Sequence, residues 1–185
     1  MMKRLFDIVV SGILLLLFSP IMIGVALAVW RGSPGPVIYK QVRVGRGRQP
    51  FGIYKFRSMV TDADKIGGHS TTKGDARVTK VGRFIRKTSL DELPQLINVL
   101  KGDMSLIGPR PDVPAQEAQY IPEDWIKRHR VRPGITGLAQ ATARSSATPE
   151  DRTKLDLEYI DTASMARDIT ILAQTARQVL MRGSH

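Results

Sequence analysis

The first thirty residues of the chain are almost entirely hydrophobic. From Ile8 to Trp30 there are 23 consecutive residues without a charge, and 18 of them are apolar. As a helix this run would be roughly 34 Å long, enough to cross a hydrocarbon core of about 30 Å. A cleaved signal peptide would have a shorter apolar core, and a buried helix of so small a protein is rarely apolar on every face. The pattern therefore predicts a helix inserted in a membrane.

The residues leave two paths for this helix through the bilayer. Ser19 and Pro20 lie in the middle of the run, and proline bends or breaks a helix, although the serine hydroxyl could bond to the carbonyl that proline frees. Basic residues favour the cytoplasmic side, and they flank the run at both ends, with Lys3 and Arg4 before it and Arg31 after it. A re-entrant helix that turns at the Ser-Pro pair and returns to the same face satisfies both flanks. The alternative is a kinked helix that spans the membrane.

A pattern typical of short strands follows a Gly/Pro-rich turn at residues 32–36. Val37–Val44 and Phe51–Met59 are rich in β-branched and aromatic residues, and a glycine-containing loop separates them, which predicts a β-hairpin. Alternation along the second strand puts Lys55 and Arg57 on one face, where both cations would point at the same spot. The simpler interpretation is a solvated basic face beside the membrane. A short amphipathic helix is then predicted at 78–87, with Phe84 among its inward residues.

Two adjacent carboxylates stand at the head of the next helical segment. Apolar residues at 93, 96, 97 and 100 repeat at helical spacing, and Gly102 is a natural stop. Asp91 as the cap, with Pro94 in the first turn, fits this segment best. Asp91 and Glu92 would then lie at a helix N-terminus, where the helix dipole favours their ionised forms. Simple capping explains the pair equally well at this stage.

Composition narrows the class of protein. A chain of 185 residues with 42% hydrophobic residues is most naturally one folded domain and not a disordered segment. The absence of cysteine excludes disulfide scaffolds, thiolate zinc sites and cysteine nucleophiles. No His, Asp and Glu residues have the spacing of metalloenzyme ligands, so a tightly bound structural metal is not expected.

The positive charge is concentrated in one block. The formal net charge is +11, and residues 31–90 alone hold 14 basic and 3 acidic side chains. Such a block favours polyanions: nucleic acid, anionic lipid head groups or phosphorylated substrates. Arg110 lies between two prolines and Arg132 precedes another, so both guanidinium groups are expected in stiff loops suited to binding anions. Carboxylates can attack phosphorus when cations offset the charge, which would suit Asp91.

Four motifs in order make the chain resemble a known family. They are Lys55–Met59, Ser89–Gln95, Gly102–Pro111 and Arg132–Gln140. Together they resemble the bacterial sugar transferases known as monotopic polyprenyl-phosphate phosphoglycosyl transferases, from Lys3 to about Met181. The resemblance implies a small monotopic α+β membrane protein with an N-terminal re-entrant helix broken at Ser19-Pro20, a short β-hairpin and several amphipathic helices at the membrane interface. We expect residues 1–31 to form the membrane helix, 32–182 the catalytic domain without an additional transmembrane bundle, and 183–185 a tag remnant.

The resemblance also implies a reaction. Such enzymes move a sugar-1-phosphate from a UDP-sugar to undecaprenyl phosphate and release UMP, at the cytoplasmic face of the bacterial inner membrane. The covalent intermediate of the family maps onto Asp91, with Glu92 as its partner, and the Mg²⁺ that members need would contact Asp91. A homo-oligomer is left open. The inferred phosphate or nucleotide contacts are Lys55, Arg57, Arg86, Arg110, Arg132 and, more weakly, Gln140.

The sequence departs from the family pattern at three places. Ser58 stands where threonine is common, residues 141–144 replace a more familiar Val-Asn-Gly-Arg, and residues 112–119 are individual. These departures put the sugar specificity in doubt.

Two other classes of protein would explain part of the sequence. A membrane-anchored adaptor would explain the charge and the apolar helix, but not the paired carboxylates, and no nucleic-acid motif is present. A spanning signal transducer is a weaker alternative.

Overall fold

One long helix opens the fold and runs through the Ser-Pro pair without interruption. The computed structural model describes residues 2–67, 74–142 and 147–182. Helix α1 (Met2–Gly32) is the one helix of this part that is long and apolar enough to cross a membrane. Pro20 has no N–H for the carbonyl of Leu16, and the Ser19 hydroxyl donates to that carbonyl at 2.8 Å instead. Helix α1 is therefore continuous at the expected break, because the Ser19 hydroxyl donates to the carbonyl that Pro20 leaves without an N–H donor.

The predicted β-hairpin is confirmed. Strands β1 (Ile38–Val44) and β2 (Pro50–Phe56) pair antiparallel, with Gln41 opposite Ile53. The second strand ends at Phe56, three residues earlier than its hydrophobic pattern suggests. A single helical turn, α2 (Ala63–Ile66), follows in the polar segment after the hairpin.

The helix predicted near residue 80 is present but turned relative to the expectation. Helix α3 (Lys80–Lys87) begins after Thr79, whose hydroxyl caps its first turn. The inward placement of Phe84 was wrong, since its side chain is 60% exposed while that of Ile85 is 1% exposed. Consecutive helical residues point in directions about 100° apart, so packing Ile85 against α1 turns Phe84 outward.

The second half of the chain adds a parallel strand pair that the sequence pattern did not predict. Helix α4 (Gln95–Lys101) ends at Gly102, whose φ of +91° is the left-handed conformation that glycine adopts easily. Strand β3 (Ser105–Ile107) then pairs in parallel with β4 (Gly134–Thr136). The remaining helices are α5 (Pro122–Arg128), α6 (Leu138–Thr142), α7 (Pro149–Thr162) and α8 (Met165–Arg182). The described architecture is thus mixed helix and sheet, as expected.

Two apolar clusters hold these elements together, and α1 contributes to both. The larger cluster is built on Ile53, Val99, Met104 and Ile107, and the N-terminal half of α1 packs on it. The smaller cluster joins Val25 and Val29 of α1 to Phe56 of β2 and Ile85 of α3. Burial of apolar surface at both ends therefore fixes α1 to the rest of the chain.

Polar contacts anchor the N-terminal end of α1 to the same domain. Lys3 Nζ lies 2.6 Å from the Asp168 carboxylate on α8, and Arg4 donates to the carbonyls at the end of α4. Asp7 is 1% exposed and accepts from the amide of Leu106 at 3.1 Å. The outer face of α1 is exposed along its whole length, from Leu5 at 65% through Leu16 at 79% to Trp30 at 62%. Helix α1 is thus anchored near both ends and presents an exposed apolar face.

Several sequence predictions fall outside the described residues. They concern residues 68–73 of the segment 61–75, which the sequence predicts to be a polar loop, residues 143–144 of the segment that departs from the family pattern, and the tag remnant at 183–185.

Candidate active site

Asp91 and Glu92 lie on a separate turn that precedes α4. Residues 90–92 form one 3₁₀ turn, entered through Ser89 in the left-handed conformation with φ +57°. Helix α4 starts only at Gln95. The expected position of the pair at the first turn of that helix is therefore corrected, because Pro94 has no N–H to continue the hydrogen-bond ladder.

Glu92 is the acceptor for two cations from different parts of the fold. Its Oε1 lies 2.9 Å from Lys55 Nζ on β2 and 3.1 Å from a terminal nitrogen of Arg110. Burial alone would raise the pKa of this carboxyl, but Arg110 and Lys55 outweigh it and lower the pKa to about 2. Glu92 is therefore ionised at every physiological pH and draws both cations to one point.

Asp91 has the opposite electrostatic environment. Its side chain is half-buried and makes no ion pair within the described part of the chain. Burial first, and then the neighbouring charge of Glu92, raise the pKa of Asp91 to about 6, although the charges of Lys55 and Arg86 act against the rise. Asp91 is still mostly ionised at neutral pH, and it is more basic than an ordinary carboxylate. Glu92 thus binds both cations, while the Asp91 carboxylate has no ion pair within the described residues and is available to a ligand.

A small open cleft lies beside Glu92 and carries excess positive charge. Three cations contribute to its lining against the single carboxylate of Glu92, which leaves a surplus of two positive charges. Such a surplus suits a phosphate group. The lining residues are Arg43, Ile53, Lys55, Glu92, Gln95, Arg110, Pro111 and Gly134.

Sequence reasoning missed two residues of this cleft. Arg43, on β1, donates to the carbonyl of Pro111 at 2.9 Å, and burial together with the nearby charge of Arg110 lowers its pKa. Gln95 is 3% exposed, and its Nε2 has no acceptor among the described residues. Gln95 belongs to the motif that contains the carboxylate pair, and this membership could have indicated that it lies at the site. For Arg43 the sequence offered only its membership of the basic block.

Two predicted phosphate contacts lie outside this lining and bind the protein's own backbone. The Arg57 side chain is 6% exposed and donates to the carbonyl of Ser33 at 2.6 Å, in the turn after α1. Because β2 ends at Phe56, Arg57 diverges from Lys55 instead of pointing at the same spot. Arg132 donates from Nε to the Gly102 carbonyl at 2.8 Å, at the end of α4. A direct contact of either arginine with substrate stays a prediction.

Arg86 and Gln140 also lie outside the cleft lining. Arg86, on α3, is close enough to Asp91 for its charge to lower the pKa of that carboxyl. It therefore belongs to the side of the site that faces Asp91. Gln140, on α6, keeps both polar atoms of its amide buried without a partner within the described residues. Its assignment stays a prediction.

The donor set decides how a metal ion could bind. The described residues contain no group of three or more His, Cys, Asp and Glu side chains placed to hold a metal. Glu92 Oε1 is engaged by two cations, so Asp91 supplies the available carboxylate. Mg²⁺ is commonly held by one or two carboxylates together with substrate phosphates and water. The site therefore fits a Mg²⁺ that arrives with a phosphorylated substrate, and it does not fit a permanently caged metal.

Comparison with known proteins identifies the family of this chain. The family model described as "Bacterial sugar transferase" matches residues 1–182, and the chain belongs to that family. The UDP-glucose:undecaprenyl-phosphate glucose-1-phosphate transferase of Escherichia coli (strain K12) is 48% identical over 95% of this chain and 39% of its own length. The transferase of the same name from Caulobacter vibrioides is 43% identical over 96% of this chain and 69% of its own length. The UDP-N-acetylgalactosamine-undecaprenyl-phosphate N-acetylgalactosaminephosphotransferase of Aeromonas hydrophila is 46% identical over 96% of this chain and 43% of its own length. The chain thus spans about two fifths of two of these relatives and about two thirds of the other.

The opposite pKa shifts of the pair predict opposite effects on stability. The folded-state pKa of Asp91 is about 6 against an ordinary value of 3.8, so its ionisation costs stability as the pH rises from about 4 to 6. Asp91→Asn should therefore raise the free energy of unfolding at neutral pH by about 1–3 kcal/mol. The gain should vanish below about pH 4, where both states of the wild-type protein hold the proton.

Glu92→Gln is the matched control for this prediction. The pKa of Glu92 is lowered to about 2, so its ionised form stabilises the fold above the ordinary value of 4.5. The amide should lower the stability by about 1–3 kcal/mol at neutral pH, and the loss should shrink as the pH falls below about 4. Thermal unfolding of both variants in lipid nanodiscs between about pH 3 and 8 measures the effects. A destabilised Asp91→Asn variant at neutral pH would contradict the assigned environment of Asp91.

Proposed function

We propose that this protein transfers a sugar-1-phosphate from a UDP-sugar to undecaprenyl phosphate, with release of UMP, through a covalent phosphosugar on Asp91. Membership of the family and the names of its relatives support the reaction class. The single observation that carries the covalent step is the contrast within the pair. Asp91 is an available carboxylate with a raised pKa, beside a Glu92 that holds two cations at a small cleft with excess positive charge.

The reaction has two displacements at the phosphorus that carries the sugar. In the first, a carboxylate oxygen of Asp91 attacks this phosphorus, and the bond to the bridging oxygen breaks, so that UMP leaves with that oxygen. In the second, a phosphate oxygen of the lipid attacks the same phosphorus and displaces the carboxylate. The product is a polyprenyl diphosphate sugar, and Asp91 is regenerated for another cycle.

The residues around Asp91 make the attack of one anion on another feasible. Glu92 fixes Lys55 and Arg110 at 2.9 and 3.1 Å, so both cations are in place before substrate arrives. Positioned cations stabilise charge that develops on phosphate oxygens without reorganisation during the reaction. Glu92 is thereby a positioning carboxylate for the two cations.

Asp91 is the residue that would hold a Mg²⁺ ion arriving with a phosphorylated substrate, and the ion would supply further positive charge to offset the negative charge of the phosphates. The requirement for Mg²⁺ is part of the proposal.

The sugar is left open by the comparisons. The relatives are named for glucose in two cases and for N-acetylgalactosamine in another, at similar identity. A panel of UDP-sugars assayed for UMP release is therefore the first experiment, because it finds the donor on which the tests below depend.

A covalent intermediate is the first testable consequence. Wild-type protein incubated with its UDP-sugar and Mg²⁺, without lipid acceptor, should release UMP once per site and gain the mass of one phosphosugar. Peptide mapping should place the adduct on Asp91, and Asp91→Asn should abolish both adduct and UMP release.

Asp161→Asn is the matched control, since Asp161 is an exposed aspartate paired only with Lys127 in the described structure. This variant should keep the adduct and the burst of UMP. Turnover with lipid acceptor but without any adduct on Asp91 would contradict the covalent mechanism. Absence of UMP release with every UDP-sugar would contradict the function itself and favour a membrane-anchored adaptor.

We further propose that α1, one continuous helix in the structure, bends at Ser19-Pro20 within the bilayer so that both of its ends return to the same face, and that this is the cytoplasmic face, on which the catalytic domain lies. Lys3 contacts Asp168 of α8, and Val29 is buried against the same domain near the other end of the helix. A helix with both ends on one domain cannot leave one end on the far side of a bilayer. The exposed apolar face, which includes Leu16, is the part available to lipid.

The chain has no cysteine, so single-cysteine labelling can test this topology directly. In sealed vesicles, a membrane-impermeant maleimide should label Met2→Cys and the exposed catalytic-domain variant Glu123→Cys from the same side. Leu16→Cys should stay unlabelled from both sides until the vesicles are dissolved. Labelling of positions 2 and 123 from opposite sides would show a spanning helix and contradict the re-entrant path.

A further inference from the structure

The loop that carries Arg110 is fixed by donors from outside it. Residues 109–112, here called the Arg110 loop, have no helix or strand hydrogen bonds of their own. Yet each of their carbonyl oxygens accepts a hydrogen bond within 2.8–2.9 Å. In chain order, the donors are the Gly134 amide, the Arg128 guanidinium, the Arg43 guanidinium and the Val44 amide.

Arg128 connects this loop to two buried carboxylates. Its side chain is 6% exposed, its Nε lies 2.8 Å from an oxygen of Asp112, and one terminal nitrogen lies 2.8 Å from the carbonyl of Arg110. The other terminal nitrogen bonds to Asp156 of α7. Burial alone would lower the pKa of Arg128, but Asp156 and Asp112 raise it, so the guanidinium stays charged. Nε and the two terminal nitrogens of Arg128 thus donate to three different acceptor groups.

The far side of Asp112 is held as well. Its second oxygen accepts from the Tyr120 hydroxyl at 3.1 Å, and Asp112 itself is 5% exposed. The Asp112 side chain thus cannot turn away from Arg128 without losing a buried hydrogen bond. The result is a rigid connection from α7, through Arg128, to the backbone on both sides of the Arg110 side chain.

The Arg110 side chain itself has little to hold it except Glu92. It is 53% exposed, and its one ion pair in the described structure is the contact with Glu92 at 3.1 Å. A long exposed side chain loses considerable rotamer entropy when it is fixed in one position. Fixing its backbone in advance reduces the freedom that remains to be lost. A displacement of about 1 Å in such a group can slow a reaction by about 100-fold.

We propose that Arg128 is a positioning residue for the transfer reaction: it locks the Arg110 loop so that the Arg110 guanidinium meets Glu92 and the substrate phosphate. The inference rests on the proposed function. The planar guanidinium is required because its nitrogens diverge towards Asp112, Asp156 and the Arg110 carbonyl. A lysine ammonium at this position keeps the charge but cannot reach acceptors arranged around a planar fork.

Arg128→Lys tests the positioning role because it leaves the two buried carboxylates compensated. The measurement is the single-turnover rate constant of UMP release at saturating UDP-sugar. The number of active sites is taken from the amount of adduct formed when the reaction is complete. We expect Arg128→Lys to lower this rate constant by about 10–100-fold. In an Arg110→Ala background the same change should lower it by less than about threefold, because the group that Arg128 positions is gone.

Tyr120→Phe is the second, milder variant and keeps the test decisive if Arg128→Lys does not fold. It removes only the hydrogen bond to Asp112, and its smaller rate effect should likewise disappear in the Arg110→Ala background. Arg167→Lys is the matched control, since Arg167 pairs with Glu158 on the same helix as Asp156 but does not touch the Arg110 loop. It should react at the wild-type rate.

Two results would overturn the inference. One is an Arg128→Lys rate constant within twofold of wild type. The other is a loss of rate from Arg128→Lys that is equal in the wild-type and Arg110→Ala backgrounds, which is the signature of a general structural effect. Where only Tyr120→Phe folds, the same comparison is made with that variant. Failure of the proposed function has a different signature, because the wild-type protein would then release no UMP.

Discussion

The structure depends on the ion pairs that converge on Glu92. Lys55 arrives from a strand and Arg110 from a proline-flanked loop, and both donate to the same carboxylate oxygen. Without Glu92, two cations would face each other across a partly buried cleft with no compensating charge between them. With it, they form a charged cluster that leaves Asp91 as the basic, available carboxylate of the pair. The two adjacent acids therefore have different electrostatic surroundings, which shift their pKa values in opposite directions.

The rest of the fold supplies the supports for this cluster. The smaller apolar cluster joins α1 to Phe56, which directly follows Lys55 on β2, so the packing of α1 helps to place the strand that carries Lys55. Arg57 strengthens the link through its hydrogen bonds to Ser33 in the turn after α1. On the other side, the parallel pair of β3 and β4 carries Gly134, whose amide holds the loop of Arg110. The candidate site is thereby connected to α1, the helix that is long and apolar enough to cross a membrane.

The sequence predicted those parts whose signal is local. The apolar run, the hairpin, the Gly102 stop and the carboxylate pair all depend on neighbouring residues, and the structure contains each of them. It did not predict long-range pairings, because hydrophobic periodicity does not indicate which carbonyl a distant arginine will meet. Arg57 and Arg132 were therefore expected at a phosphate, and the structure shows them on backbone carbonyls. The sequence places Arg128 among the basic residues around Trp125 but does not indicate its burial, because a buried arginine and an exposed one have the same local pattern.

The central claim of the proposed mechanism is that Asp91 is an available carboxylate whose burial, together with the charge of Glu92, raises its pKa. Carbon-13 NMR of protein labelled at the aspartate carboxyl carbons, titrated in nanodiscs without substrate, measures this pKa directly, and Asp91→Asn assigns the resonance. The account predicts a midpoint at about 6. A midpoint near the ordinary aspartate value of 3.8 would contradict it, because Asp91 would then differ from a surface carboxylate only in its position.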